Sequence, residues 1–218
     1  MQKDNSIRLL IFDFDGTLGD TQHIIIDTMQ ATLRLLGLPE CSREACAATI
    51  GLPLKACFTH LMTMTDATAC RCEATYRELF AERNEPGRVP VFPHVVETLQ
   101  ILAARGLTMT IASSRGHESL DGFVSGLQLQ PYIRYVLGAE DVVRAKPDAE
   151  PVLKTLADLG FRKDETMVVG DMTYDILMGR HAGVKTVGVT YGNGRECDLR
   201  EAGADFIISD FAMLAEII

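Results

Sequence analysis

Two aspartates at the end of an apolar run are the residues of this chain best suited to chemistry. Asp13 and Asp15 belong to the stretch DFDGTL at residues 13–18, which directly follows the apolar residues 7–12. That run is short and rich in Ile, Leu and Phe, a composition typical of a buried parallel strand. Because ligands of open α/β sheets bind at the carboxyl ends of the strands, the sequence predicts a ligand site at these carboxylates.

A turn must follow Asp13 if both acids serve one ligand, since residues two apart on a strand point to opposite faces. Gly16 permits such a turn because glycine adopts backbone angles that other residues avoid. An aspartate followed by Asp-Gly is also common in plain turns, where the side chains cap backbone amides. The residues after the other strands must decide between these two interpretations.

The composition is that of a globular protein and does not exclude a small anionic partner. The chain has 218 residues, 47% of them hydrophobic, which indicates one domain or one domain with an insert. Its 30 acidic and 21 basic residues give a net charge of -9, which argues against nucleic acid or an anionic membrane as the main partner. A phosphorylated metabolite remains compatible, because a bound metal ion can reverse the sign locally.

No apolar stretch reaches the roughly 18 residues of a membrane span, and the first residues lack a signal-like apolar region. We therefore expect a cytoplasmic protein without a membrane partner, acting as a monomer or weak homodimer. The six cysteines form no CxxC pair and have no histidine at zinc-ligand spacing. Five lie within residues 41–72, which could indicate a redox role, although reduced and mostly buried thiols suit the compartment better.

The apolar pattern divides the chain into an α/β part and a helical block. Helices are predicted over residues 20–36, 42–50, 53–64 and 66–83, and residues 84–88 end this block. Strands are predicted at residues 107–112, 133–137, 166–169, 185–189 and 206–208, with a helix before each of the first four and a terminal helix after the last. The alternation implies an α/β fold, a doubly wound parallel sheet with helices on both faces. The block of residues 20–88 is then an α-helical insertion after the first strand.

Polar residues follow four of the predicted strands, all at one edge of the sheet: Asp13 and Asp15, then Ser113, Ser114 and Arg115, then Arg144 and Lys146, and finally Asp171 and Asp175. Such a set suits a phosphate group and a hard divalent cation. Mg²⁺ prefers one or two carboxylates with phosphate and water, so Asp13 and Asp171 could hold it while Asp175 orients a water molecule. The ion and Lys146 would relieve the repulsion among the carboxylates.

The same residues could carry out a two-step phosphoryl transfer. A carboxylate that attacks phosphorus forms an aspartyl-phosphate and divides one difficult displacement into two easier ones. Asp15 could protonate the leaving oxygen and later deprotonate water. Ser113 and Lys146 would bind the transferring phosphoryl oxygens.

These segments together resemble the four motifs of the haloacid dehalogenase superfamily of phosphohydrolases, in the same order: DFDGTL at residues 13–18, the hydroxyl of Ser113, Lys146 before Pro147, and GDMTYD at residues 170–175. The resemblance covers nearly the whole chain. It implies a Rossmann-like catalytic core of residues 1–19 and 89–218. It also likens the insertion of residues 20–88 to the small mobile cap domain of that superfamily.

The resemblance implies a role for each site residue: Asp13 as nucleophile and metal ligand, Asp15 as general acid and base with its main-chain carbonyl on the metal, Asp171 as a further ligand, Asp175 acting near the metal without coordinating it, and Gly16, Thr17, Ser114 and Arg115 contacting the phosphate. Ser113 is favoured over Ser114 because Ser-Ser-Arg resembles the family's Thr-Asn-Lys triplet. Lys146 is favoured over Arg144 because it precedes proline, as in the family's third motif.

Within the superfamily, a magnesium-dependent phosphatase fits best. Dehalogenases need no metal and lack the second aspartate, so Asp15 and Asp171 argue against them. Sugar phosphomutases carry a histidine and an arginine where this chain has Ile25 and Leu54. Residues 50–54, 92–99 and 104–106 resemble phosphoglycolate phosphatases and related pyrophosphatases.

We therefore expect hydrolysis of a small phosphomonoester of the phosphoglycolate type. A pyrophosphatase, a sugar phosphomutase and a non-catalytic phosphate-binding regulatory module are the alternatives. Specificity should come from the cap. There Lys55, Arg71 and Arg77 could contact an anion, although a solvated helix face is the commoner place for such side chains.

Overall fold

The computed structural model describes residue 4, residues 6–84 and residues 89–218. Its strands are β1 (Leu9–Phe12), β2 (Thr108–Ala112), β3 (Ile133–Leu137), β4 (Thr166–Gly170), β5 (Lys185–Val189) and β6 (Phe206–Ile208). Its α-helices are α1 (Gln22–Leu35), α2 (Arg43–Ala47), α3 (Leu54–Leu61), α4 (Asp66–Arg83), α5 (Val95–Ala104), α6 (His117–Gly126), α7 (Glu150–Leu159), α8 (Thr173–Ala182), α9 (Glu196–Glu201) and α10 (Leu214–Ile217).

The strands form one parallel sheet in the order β3-β2-β1-β4-β5-β6. The central strand β1 is fully buried, because its side chains alternate between two apolar cores on the two faces of the sheet. Leu10 and Phe12 pack into one core, and Leu9 and Ile11 pack into the other. The predicted α/β fold with a doubly wound parallel sheet is confirmed. Because β1 has β2 and β4 as neighbours, the residues that follow these three strands lie side by side.

Between β1 and β2 the chain forms the helices α1 to α4, and residues 22–83 contain no strand. Helix α1 packs against α4. Helix α2 begins where the hydroxyl oxygen of Ser42 accepts a hydrogen bond from the backbone N–H of Ala45 at 3.1 Å, as expected for an N-cap serine. The predicted end of this block at residues 84–88 falls mostly on residues 85–88, which lie outside the described residues.

The two connections between this helical insertion and the sheet run side by side. Gly19 forms an antiparallel bridge with Val91. The N–H of Asp20 donates to the carbonyl of Pro90 at 2.9 Å, and the N–H of Phe92 donates to the carbonyl of Leu18 at 3.0 Å. The insertion therefore leaves and rejoins the sheet at one place, a few residues from Asp13 and Asp15.

Two local differences from the predicted elements have physical reasons. Helix α3 ends earlier than predicted because the chain turns into an extended conformation at Met62. Helix α9 has no predicted counterpart, since its six residues are too few to show a helical period.

All six cysteines are free thiols, three of them buried. Within the described residues, no helix combines the length and the apolar character that crossing a membrane would require.

Candidate active site

Asp13 follows β1 directly and is almost completely buried, with 2% of its surface exposed. Its backbone N–H donates to the carbonyl of Val169 at 2.9 Å, which extends the pairing of β1 with β4. One carboxylate oxygen, Oδ1, accepts a hydrogen bond from Nζ of Lys146 at 2.6 Å. The parallel sheet thus places the acid from the first strand next to the residues that follow the fourth.

Gly16 turns the chain after the two aspartates, with a φ of +90° that favours glycine. A side chain here is also excluded by space, because a Cβ would lie 2.2 Å from Oδ2 of Asp171. The N–H groups of Thr17, Leu18 and Gly19 all donate to the carbonyl of Phe14, which closes the turn. The turn therefore returns the chain toward Asp171.

Asp13, Asp171 and Asp175 form a buried acidic triad whose ligand oxygens all lie within 4.8 Å of one another. Lys146 joins two of them, since its Nζ donates to Asp13 at 2.6 Å and to Oδ1 of Asp175 at 2.7 Å. Burial raises the pKa of Asp13 well above its ordinary value, although the Lys146 ammonium opposes the shift. Burial and the charge of Asp175 raise the pKa of Asp171 to about 7. One ammonium does not balance three carboxylates at this site.

The second carboxylate oxygen of Asp13, Oδ2, is buried and has no hydrogen-bond partner among the described residues. Leaving a buried polar atom unpaired costs about 1–3 kcal/mol, and such an atom commonly marks a place that a ligand or ion completes. The surplus of negative charge gives the same indication. The donor set consists of carboxylate oxygens, which are the preferred ligands of hard divalent cations. The triad can therefore hold such a cation.

Asp15 is held by partners from both parts of the molecule. Nε and Nη2 of Arg115 donate to its two carboxylate oxygens at 3.1 and 2.6 Å, and the hydroxyl of Thr21 donates to Oδ1 at 2.7 Å. The Arg115 guanidinium lies over the rings of both Phe80 and Phe123, 4.7 and 4.8 Å from their centroids. Because Phe80 belongs to α4, this stack links the helical insertion to the second aspartate.

The two serines after β2 have different partners. The hydroxyl of Ser114 donates to the carbonyl of Gly51 in the insertion at 2.6 Å. The Ser113 oxygen accepts from the backbone N–H of Arg115 at 3.2 Å, and its hydroxyl proton has no acceptor among the described residues. Ser113 is therefore the serine with a donor available to a ligand.

The structure also separates the two basic residues after β3. Nε of Arg144 donates to Glu150 at 3.1 Å on the surface, and the Arg144 side chain is mostly exposed. Lys146, by contrast, is buried against Asp13 and Asp175. Thr17 is buried, with its hydroxyl 3.4 Å from Oδ1 of Asp171. Lys146 and Thr17 thus lie at the acidic triad, and Arg144 lies away from it.

Sequence reasoning missed the loop after β5. The backbone N–H and the side-chain Nδ2 of Asn193 donate to Oδ2 of Asp171 at 2.7 and 2.8 Å. Nε2 of Gln22 on α1 donates to Oδ1 of Asn193 at 2.8 Å, and the hydroxyl of Tyr191 donates to the carbonyl of Thr17 at 2.9 Å. The available signal was an asparagine between two glycines after a strand end. Thr21, six residues after Asp15, gave no comparable signal.

A cavity of about 590 Å³ lies between the strand ends and the helical insertion. Asp13, Asp15, Ser113, Ser114 and Arg115 line it from the sheet side. Helices α1, α3 and α4 contribute mainly apolar residues on the opposite side, among them Ile25 and Leu54. Of the three cations predicted as anion contacts, Lys55 and Arg77 line the cavity and Arg71 does not. The arrangement presents two carboxylates, two serine hydroxyls and a guanidinium to one cavity.

Comparison with known proteins agrees with this geometry. The family model of haloacid dehalogenase-like hydrolases matches residues 10–189. A protein of Dickeya dadantii named "Probable phosphatase IndB" is 36% identical over 208 residues, with 94% of this chain and 90% of the relative covered. The phosphoglycolate phosphatase of Photorhabdus laumondii is 31% identical over 216 residues, covering 97% of this chain and 92% of that protein.

Among solved structures, a hydrolase from Pseudomonas syringae superposes with a TM-score of 0.86 at 25% identity, and the match covers 99% of this chain and 97% of that one. The fold is therefore shared over the full length of both proteins. The family match spans the helical insertion and the strands β1 to β5, and it includes the residues that follow β1, β2, β3 and β4 at the site. The chain belongs to the family of haloacid dehalogenase-like hydrolases and is a phosphatase of that family.

Proposed function

We propose that the protein is a Mg²⁺-dependent phosphatase that hydrolyses a phosphomonoester through an aspartyl-phosphate on Asp13. The observation that carries this proposal is the state of Asp13. This buried carboxylate lies in the wall of the cavity, with one oxygen held by Lys146 and the other without a partner. Its position suits a nucleophile that is fixed at one oxygen and completed by a cation at the other.

Asp13, Asp171 and the main-chain carbonyl of Asp15 would hold Mg²⁺, with Asp175 close by. When bound, the ion supplies positive charge that offsets the carboxylates and the charge of the phosphoryl group. Asn193 fixes Oδ2 of Asp171 through two hydrogen bonds, and Lys146 fixes Oδ1 of Asp175. These contacts set the orientation of the proposed ligands before any metal arrives.

In the first proposed step, a carboxylate oxygen of Asp13 attacks phosphorus, and the bond from phosphorus to the leaving oxygen breaks. Asp15 donates a proton to that oxygen, so the product alcohol departs neutral. Ser113 and Lys146 donate hydrogen bonds to the phosphoryl oxygens. In the second step a water molecule attacks the same phosphorus. Asp15 takes the proton of the water, and inorganic phosphate leaves while the carboxylate of Asp13 is regenerated.

The remaining phosphate contacts belong to the turn and to the residues after β2. Gly16 and Thr17 lie beside Asp171, and Ser114 bridges to the insertion through Gly51. Arg115 faces the cavity, but its guanidinium is engaged with both oxygens of Asp15. We therefore propose that Arg115 and Thr21 position Asp15 for proton transfer, in addition to any contact of Arg115 with the phosphate.

The structure favours a phosphatase over a phosphomutase at two places. Ile25 and Leu54, where mutases carry a histidine and an arginine, both line the cavity as apolar side chains. A hydrolase needs no group there to retain a sugar intermediate. The complete set of nucleophile, second acid, lysine and carboxylates likewise favours an enzyme over a non-catalytic phosphate-binding module.

The test is hydrolysis of a broad panel of phosphate esters in the presence of Mg²⁺, with inorganic phosphate as the readout. The panel includes phosphoglycolate, pyrophosphate and sugar phosphates, whose products are identified so that isomerisation is distinguished from hydrolysis. We expect release of phosphate that EDTA abolishes. Metal-dependent binding of esters without turnover would contradict the proposal and favour the binding module.

A further inference from the structure

The insertion side of the cavity is apolar and aromatic. Ile25, Ile50, Leu52 and Leu54 line it, and so does Tyr76 on α4. A volume of about 590 Å³ is well inside the range of roughly 300–1,000 Å³ typical of sites for drug-sized ligands. In the proposed reaction the phosphoryl group would lie at the sheet side, next to Asp13, so the apolar side would face the leaving group of the substrate.

The cations of this cavity already have acidic partners. Nζ of Lys55 lies 2.5 Å from Asp66, and Nη2 of Arg77 lies 2.9 Å from Glu73. Arg115 is buried against Asp15, with both carboxylate oxygens engaged. Glu118 and Glu140 add two further acids to the lining. Among the described residues, every cation of the lining is therefore paired, and none is free to bind a second anionic group of a substrate.

Tyr76 provides an independent indication of what the cavity binds. Only 8% of this residue is exposed, and its hydroxyl has no hydrogen-bond partner among the residues that the structure describes. Its ring stacks on Phe80, with centroids 5.6 Å apart and planes 21° apart, and meets the edge of Phe58. Burial raises the pKa of Tyr76, so its hydroxyl remains a donor. A rigid, unpaired donor in an apolar wall suits one acceptor on an otherwise apolar ligand.

We infer that the substrate is the phosphomonoester of an uncharged, largely apolar alcohol that carries one hydrogen-bond acceptor for Tyr76. This inference rests on the proposed phosphatase activity and names its substrate class. It places such esters ahead of phosphoglycolate and pyrophosphate, because both of those compounds bring a second anionic group to a wall whose described cations are each already paired with a carboxylate. Apolar contact and the Tyr76 hydroxyl would supply the discrimination.

Benzyl phosphate and phosphoglycolate form a matched pair for the test, since both are phosphates of a CH₂–O group and differ in a phenyl ring against a carboxylate. We expect kcat/KM of the wild-type protein to be at least about tenfold higher for benzyl phosphate, as the transfer of one apolar group predicts. Equal or higher kcat/KM for phosphoglycolate or pyrophosphate would overturn the substrate class and leave the phosphatase intact. Failure to hydrolyse any ester would overturn the phosphatase itself.

A charge introduced into the apolar wall gives a second test. In Leu54→Arg, the ratio of kcat/KM for phosphoglycolate to that for benzyl phosphate should rise about tenfold or more, since the new cation meets the carboxylate. Leu35→Arg is the control, because Leu35 is 67% exposed on α1 and does not line the cavity. If this ratio of kcat/KM values is unchanged in a folded Leu54→Arg protein, the leaving group does not lie against the apolar wall at residue 54, and the inference is wrong.

The role of Tyr76 is tested with 3-acetylbenzyl and 4-acetylbenzyl phosphates, which add a carbonyl acceptor to the benzyl ester. Tyr76→Phe should lower kcat/KM for the better isomer by about three- to tenfold, the effect of one hydrogen bond, and change that for benzyl phosphate less than twofold. Equal losses on all three esters would show that Tyr76 acts through packing alone and would contradict its assigned donor role.

Discussion

The two walls of the cavity are built on different physical terms. The sheet wall consists of the strand-end residues that line the cavity together with the buried charges behind them, which short hydrogen bonds join to groups distant in the chain, as in Lys146 with Asp13 and Asp175. The insertion wall is apolar, and its ion pairs, such as Lys55 with Asp66, lie at the rim with their side chains partly exposed. Buried pairs are sensitive to the loss of one partner, whereas exposed pairs contribute little. We therefore propose that the sheet carries the reaction chemistry and that the insertion selects the substrate.

The largest expected effect is on the sheet wall at the nucleophile. Asp13→Asn keeps an acceptor for Lys146 but removes the attacking carboxylate, so kcat should fall by about 10³-fold or more on every substrate. Asp158→Asn, at an exposed carboxylate that pairs with Lys154, is the control and should retain full activity. Steady-state rates measured on two chemically different esters provide the check, and a loss restricted to one ester would contradict the division between the walls.

The second effect concerns Asp15, which the Arg115 fork and Thr21 hold. Asp15→Asn should lower kcat by about 10²- to 10⁴-fold, the usual contribution of a general acid or base. The loss should be smaller for esters with a good leaving group, such as 4-nitrophenyl phosphate, because that oxygen needs no proton to depart. An equal loss for esters of good and poor leaving groups would argue against proton donation by Asp15.

The third effect compares the same substitution on the two walls. Lys146→Met leaves Asp13 and Asp175 buried without their cation and should reduce the free energy of unfolding by about 3–5 kcal/mol. Lys55→Met breaks an exposed pair and should leave the free energy of unfolding nearly unchanged. Urea denaturation in the presence of EDTA measures both variants. A similar loss of unfolding free energy in the two variants would contradict the view that the buried pairs of the sheet wall contribute more to stability than the exposed pairs of the insertion wall.

The smallest effect is stabilisation by the metal. A ligand at 100 times its dissociation constant stabilises the folded state by about 2.7 kcal/mol, so Mg²⁺ should raise the melting temperature of the wild type by several degrees. Asp171→Asn should abolish the shift, and the insertion variant Lys55→Met should keep it. If Mg²⁺ still raises the melting temperature of Asp171→Asn, the metal binds at a place other than the acidic triad.

The sheet wall could be predicted from the sequence largely because each of its groups directly follows an apolar run. Asp13, Lys146 and Asp171 lie at strand ends, and parallel pairing brings such positions together without knowledge of the loops. Asn193 could not be predicted, because its effect on Asp171 depends on how a glycine-rich loop folds back over 22 residues. The two hydrogen bonds from Arg115 to Asp15 could not be predicted either, because they join residues 100 positions apart in the chain.

The insertion wall was predicted as a set of helices with three possible anion contacts, of which Lys55 and Arg77 line the cavity and Arg71 does not. The apolar periodicity of these helices does not tell which apolar residues face the protein core and which face a cavity. Tyr76 shows the difficulty, since it lies at a buried helix position and lines the cavity, while its hydroxyl has no partner among the described residues. The ion pair between Lys55 and Asp66 links two separate helices and also depends on packing. The inference about the substrate class therefore required the folded structure, whereas the prediction of the type of reaction did not.

The most direct test of the account is the identity of the phosphorylated residue. The protein is mixed with Mg²⁺ and an ester that it hydrolyses, quenched in acid within one turnover, and digested for peptide mass spectrometry. The account predicts the mass of one phosphoryl group on the peptide that contains Asp13, and its absence from the Asp13→Asn protein. A phosphoryl group on any other residue, or turnover with no phosphorylated peptide at any mixing time, would contradict it.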